Sequence, residues 1–297
     1  MIERNGILAA LALGLLFQAP AAAQAPTQVA YAVRSDGDDK LYSINLTTGV
    51  ATAIGDAGFD DVESLAFSPE CETLYGVDDV DDRLVTCSLT SGACTAVGGP
   101  LGVDVTDTGL AFDFEGHLYM STDAPKNPTS SYRLNPETGA ATLLGNQRQS
   151  VTGLAATFTG IYGLGGDGAN NLVTLSPLTG EVTQIAPLSG VAITDAGLDF
   201  DVSGILYGLS DGSGRNGTGP SQLFTVNLET GAAHVVANVT VGGRPANGFE
   251  GMAIAGGICR DLDTKVLDDA PTLSQWGLLA LLASLAATGV LLLRRGA

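Results

Sequence analysis

Histidine, tryptophan and basic residues are all scarce in this chain of 297 residues, which has two histidines, one tryptophan and 13 Lys and Arg against 32 Asp and Glu. The two histidines, His117 and His234, fall in different repeats with no partner at triad or ligand spacing, so both read as surface or edge residues. A Walker loop and a His-Glu-x-x-His pair are both absent, which removes the common signatures of nucleotide binders and zinc proteases. The lone Trp276 lies near the carboxy terminus, leaving the rest of the chain no indole platform for stacking sugars. A formal net charge of −19 repels nucleic acid and anionic lipid, and it leaves divalent cations and polycations as charge-compatible partners. Four cysteines occur without a Cys-x-x-Cys.

What is present is repetition. The stretch from Leu41 to Gly55 pairs two short runs of alternating apolar residues across a polar turn ending in glycine, and it returns at Leu84 to Gly98, Tyr132 to Gly145, Leu172 to Ala186 and Leu223 to Ala237. The turn glycines Gly49, Gly92, Gly139, Gly180 and Gly231 are spaced by 43, 47, 41 and 51 residues. Between these hairpins lies a second recurring pair, a Gly-Leu-Ala-Phe-like run (Ser64–Phe67, Gly109–Phe112, Gly153–Ala156, Gly197–Phe200) followed by a Leu-Tyr-Gly-like run. Each repeat therefore supplies four strands, a and b from the second pair and c and d from the hairpin. Such a unit cannot bury both faces alone, and stacking around an axis solves the problem. The repeats begin on a strand of type b at Val29–Val33 and end on one of type a at Gly251–Ile254. The expectation is an all-β, five-bladed propeller in which the last strand completes the first blade.

Cys87 and Cys94 sit symmetrically about one c–d turn, within disulfide reach across a hairpin. Cys71 and Cys259 fall on the same face in adjacent blades, and a bond between them would lock the closing strand, with a model-dependent entropic gain of roughly 4 to 5 kcal/mol.

The two ends stand apart. Residues 1–23 carry Arg4, an apolar run and Ala21, Ala22 and Ala23, the pattern of a secretory signal peptide. The expected domain covers 24–260, followed by a charged linker at 261–269. From Trp276 to Leu293 no charge occurs, and at about 1.5 Å per residue this is roughly 27 Å of helix, enough to span a bilayer, with Arg294 and Arg295 on the cytoplasmic side. Without the end residues Glu3, Arg4, Arg294 and Arg295, the exported part has 31 acidic against 10 basic residues.

The tail, 270–297, resembles the carboxy-terminal sorting signals handled by bacterial exosortases, in the variant reading Ile-Pro-Thr-Leu-x-x-Trp-Gly. Pro271, Thr272, Leu273, Trp276 and Gly277 match it, Ala270 replaces the leading Ile, and a helix and Arg294-Arg295 follow. The resemblance implies an exosortase-type membrane protease as a processing partner, beside the signal peptidase that the pattern of residues 1–23 calls for. It also implies a membrane-tethered precursor that is released to the cell surface or extracellular matrix. The repeats loosely resemble bacterial extracytoplasmic propellers, a likeness that specifies fold rather than function.

One constellation remains for chemistry: an Asp just after strand b in every repeat, namely Asp36, Asp79, Asp123, Asp167 and Asp211. In one reading each caps its own b–c turn. In the other these aspartates join Asp60, Asp61, Glu63, Asp107, Asp195 and Glu250 of the d–a loops, which share the same face, in an acidic rim suited to calcium. The functional expectation is a non-catalytic binding or structural module of the cell envelope whose partner is an extracellular polysaccharide or another surface protein. The alternative is a metal-assisted propeller hydrolase or lyase acting on a polysaccharide or small molecule.

Overall fold

The computed structural model describes residues 28–123, 129–166, 168–213 and 218–257, and these are all-β, with no helix among them. Blade 1 takes β1 (Val29–Val33), β2 (Lys40–Asn45) and β3 (Val50–Asp56). Blade 2 is β4 (Val62–Phe67), β5 (Leu74–Asp78), β6 (Arg83–Cys87) and β7 (Cys94–Pro100). Blade 3 is β8 (Gly109–Phe112), β9 (Leu118–Thr122), β10 (Ser130–Leu134) and β11 (Ala141–Asn146). Blade 4 is β12 (Gly153–Thr157), β13 (Gly160–Leu164), β14 (Asn171–Leu175) and β15 (Val182–Pro187), and blade 5 is β16 (Ala196–Phe200), β17 (Leu206–Ser210), β18 (Gln222–Val226) and β19 (Ala233–Asn238). A short hairpin, β20 (Thr240–Val241) and β21 (Arg244–Pro245), precedes β22 (Ala253–Ile254). Strand β22 pairs antiparallel with β1, Ala30 opposite Ile254, so the five-bladed ring closes as the repeat phase requires. The hairpin was not visible in the repeats; β20 adds in parallel to β3 and covers the outer edge of blade 1.

The recurring turn has a physical reason. In every blade the residue opening the c–d turn is Asn or Ser (Asn45, Ser88, Asn135, Ser176, Asn227), and its side chain accepts backbone N–H groups two or three residues on. The fifth residue is a glycine with φ between 65° and 81°, the left-handed region. Each of these glycines also presses on the d strand of the preceding blade: Gly92 on Gly55, Gly180 on Gly145, Gly231 on Pro187 and Gly49 on Asn238. A Cβ there would meet backbone, so the glycine is demanded twice.

The inner strands make a second ring. Gly109 packs on Gly153, Gly153 on Ala196, Gly197 on Gly251 and Met252, and Gly251 on Glu63 and Ser64. Ser64 completes it through a 2.8 Å hydroxyl contact with Thr108. The next residue in each inner strand, Leu65, Leu110, Leu154, Leu198 or Met252, is at most 2% exposed. Four of them, Leu65, Leu110, Leu154 and Leu198, lie between a cavity of about 10 Å³ toward one mouth and one of about 50 Å³ toward the other, lining both. The axis is a packed core, and the two mouths of the propeller are chemically separate. Cys87 and Cys94 lie opposite one another in β6 and β7 and are bonded; Cys71 is also disulfide-bonded, and its expected partner Cys259 lies outside the described residues.

Candidate functional site: the acidic mouth

The b–c and d–a loops gather carboxylates at one mouth. Glu63 stands at a bulge in β4, where the register passes from Val62 opposite Asp78 to Ser64 opposite Val77 and leaves Glu63 without a cross-strand partner. Its Oε2 accepts the N–H of Thr108 from the next blade at 3.1 Å. Glu250 occupies the matching position in blade 1 and accepts a hydrogen bond from the Ser35 hydroxyl. Asp195 accepts the N–H of Ala196 at 2.7 Å. Glu63, Glu250 and Asp195 are all buried, at 7%, 8% and 8% exposure.

Two sets of oxygens converge. Asp36, Asp211 and Glu250 place one oxygen each within 4.8 Å of one another, and so do Asp61, Glu63 and Glu250. Glu250 is common to both, so five carboxylates from blades 1, 2 and 5 form one continuous group. Asp79 joins it through hydrogen bonds shared with Glu63 and Asp61. The Oδ1 atoms of Asp61 and Asp79 are enclosed without a hydrogen-bond partner.

Burial and mutual repulsion favour the protonated forms of Asp61, Glu63, Asp79, Asp195, Asp211 and Glu250. Burial, then the charges of Asp79, Glu250, Asp195 and Asp107, pushes Glu63 up to about 11. Burial, then Asp195, pushes Glu250 up to about 9 against the pull of the Ser35 hydrogen bond. Burial, then Asp79 and Asp36, pushes Asp61 up to about 7. Asp195 is raised well above the usual carboxylate range by burial and then Asp107, and Asp79 and Asp211 are raised chiefly by burial.

The aspartates expected after strand b therefore divide. Asp36, Asp79 and Asp211 enter the cluster, and Asp211 also caps its own turn by accepting Gly212 N–H while holding the Thr194 hydroxyl at 2.9 Å. Asp123 belongs to neither converging set, and Asp167 lies outside the described residues. In blade 2 the turn cap is Asp78, which accepts Asp81 N–H, rather than Asp79. From the d–a loops Asp61, Glu63 and Glu250 supply oxygens to the converging sets, while Asp107 and Asp195 act on them through charge. Asp60 acts on Asp39 instead. His117 is on the opposite face, where Nδ1 bonds Asp113 at 2.9 Å, and Asp113 also accepts the N–H groups of Glu115 and His117 and the hydroxyl of Tyr119. Burial favours the neutral form of Asp113, but these hydrogen bonds outweigh it and hold the carboxyl below its ordinary value. His234 is exposed in β19. The sorting-signal residues Pro271, Thr272, Leu273, Trp276, Gly277, Arg294 and Arg295 lie outside the described residues.

Chemically, the mouth offers oxygen donors of high negative charge density and no imidazole, a set suited to a hard cation. Ser35 is held by a carboxylate with no histidine between them, so it lacks the relay that activates a serine nucleophile.

These features define a five-bladed propeller with one acidic mouth. No family model matches the chain, and no curated protein does either. Solved structures to which it is similar include a nidogen/laminin complex (13% identity, covering 77% of this chain and 98% of that one, TM-score 0.47). Others are TolB from Acinetobacter baumannii (11%, 77% and 66%, TM-score 0.48) and a gluconolactonase from Xanthomonas campestris (14%, 78% and 84%, TM-score 0.45).

Proposed function

We propose that this chain is an exported, non-catalytic propeller of the cell envelope whose acidic mouth binds a hard divalent cation, calcium in the first instance. The observation that carries this reading is the convergence of the carboxylates Asp36, Asp61, Glu63, Asp211 and Glu250, with no basic group among those that act on Asp61, Glu63 and Glu250. A cation that displaces the held protons satisfies all of them at once. The tail supplies the route: signal peptidase acts at residue 23 and an exosortase-type protease acts on the Pro271-Thr272-Leu273 segment. The mouth then serves as a docking face for a surface polysaccharide or protein. The enzyme alternative draws on the same carboxylates, since an acid that keeps its proton near neutrality meets one requirement of general acid catalysis.

Thermal unfolding in chelator and in millimolar calcium tests the binding. A cation bound only to the folded state stabilises by about 2.7 kcal/mol at a hundredfold excess over Kd, and the gain should grow from pH 5 to pH 9 as protons cease to compete. An unchanged melting curve at pH 8 overturns the cation reading.

A further inference from the structure

The mouth opposite the acidic cluster is formed by the a–b loops, and there the blades differ. In blade 4 the loop tip is Thr157, Phe158, Thr159 and Gly160, with Phe158 74% exposed. In blade 5 the tip runs from Asp201 to Ile205, with Val202 60% and Ile205 44% exposed, while Asp201 is buried and accepts the N–H groups of Ser203 and Ile205. Neither tip exposes a charge, in a protein whose net charge is −19. The Phe158 ring stacks on Phe114 of blade 3, with centroids 3.7 Å apart and planes at 18°, which holds an apolar side chain outward instead of letting it fold back. The neighbouring loops of blades 2 and 3 carry the exposed Glu72 and Glu115. Large apolar side chains exposed on uncharged loop tips of adjacent blades at one mouth mark a surface that meets something apolar.

The course of the chain says what. The last described residue, Gly257, lies against the carbonyl of Phe200, two residues before Val202, and lines the cavity at this same mouth. Forty residues follow, and residues 258–275 separate Gly257 from the charge-free run Trp276 to Leu293. Eighteen residues span at most about 65 Å even when fully extended. The apolar loops are therefore held at high effective concentration beside whatever receives that run.

We propose that Phe158, Val202 and Ile205 insert into the interfacial zone of the bilayer that the tail spans, so that the propeller rests on the membrane on its a–b face and presents the acidic mouth away from it. This rests on the reading of 276–293 as a membrane span. Glu72 and Glu115 favour zwitterionic over anionic headgroups at this face.

The test uses the full chain in phosphatidylcholine vesicles containing lipid brominated near the headgroup end of its acyl chains. Trp276 is the native reporter of the tail; Trp276→Phe combined with Phe158→Trp reports the blade 4 tip, and Trp276→Phe combined with Val80→Trp reports the opposite face, where Val80 is 61% exposed. Bromine should quench the indole introduced by Phe158→Trp several-fold more than the one introduced by Val80→Trp, and Val202→Ser with Ile205→Ser should remove most of that difference. Replacing a third of the lipid by phosphatidylglycerol should weaken it. Equal quenching at the two positions, with Trp276 still quenched, overturns the resting orientation while leaving the anchor. An unquenched Trp276 overturns the membrane span itself, and this proposal with it. A blue shift of the Phe158→Trp indole that follows protein concentration and ignores bromine assigns the face to a second copy of the chain and overturns the lipid reading.

Discussion

The two mouths of this propeller are reached by the same five inner strands, yet one collects carboxylates and the other collects Phe158, Val202 and Ile205. At the acidic mouth, Glu63 and Glu250 sit one residue before the inner glycine or serine, and at Glu63 a bulge in β4 frees the side chain. At the other mouth the one carboxylate among the described residues held up by burial is Asp199, which stands where other blades have alanine and accepts the N–H of Ile254 in the closing strand at 2.7 Å. A few residues either side of a common scaffold set the chemistry, and the Leu and Met plug between them keeps the two from mixing. Repeat architecture in this molecule fixes position and leaves composition free.

The largest expected effect comes from breaking what the mouths share. A Cβ at Gly197 would lie 2.3 Å from the backbone nitrogen of Met252, so Gly197→Ala should cost about 3 kcal/mol, while Gly160→Ala, with open space around it, should change stability by less than about 0.5 kcal/mol. Denaturant unfolding of the two variants checks this, and equal midpoints would show that the inner ring is not close-packed.

Next comes the charge of the acidic mouth. Groups with folded pKa values raised above their unfolded ones stabilise the protein fully below about pH 4 and lose that contribution as pH rises through the folded values, about 7 for Asp61 and about 9 for Glu250. In chelator the melting temperature should therefore fall from pH 5 to pH 9. Glu63→Gln with Glu250→Gln should flatten that slope and diminish the calcium effect. A slope unaltered by the double variant would place the titrating groups elsewhere.

The smallest effect sharpens the contrast. Asp199 is pushed up to about 7 by burial, against the hydrogen bonds from Ile254 and Phe200, so its share of the pH dependence ends near neutrality. Asp199→Asn should remove a minor part of the slope between pH 5 and pH 7.5 and leave the calcium response as it was. Loss of the calcium response would show that the two mouths communicate through the axis.

Blade number, strand count and ring closure were legible because the glycines at the c–d turns recur in sequence for reasons of backbone conformation and close approach. Asp36, Asp79 and Asp211 were legible for the same reason, since a recurring residue is what a repeat search finds. The partner carboxylates were harder to rank. The position before the inner glycine or serine is Glu63, Thr108, Thr152, Ala196 and Glu250 around the ring, so no period singles out the two glutamates. Their significance comes from burial and from the bulge at β4, which no pattern of residue types announces. Asp78 and Asp79 are neighbours of identical type, and only the backbone decides which one caps the turn. The parallel edge pairing of β20 was equally silent, because two residues on each side carry no alternation.

Blade 1 joins residues 29–56 to Ala253 and Ile254, so its inner strand is made last. During synthesis the second to fifth blades can each complete from contiguous chain, while the first must wait as an open three-stranded edge from Asp56 until Ala253 has emerged. Timing thus falls to Ala253 and Ile254: a chain halted before they emerge leaves blade 1 without its inner strand.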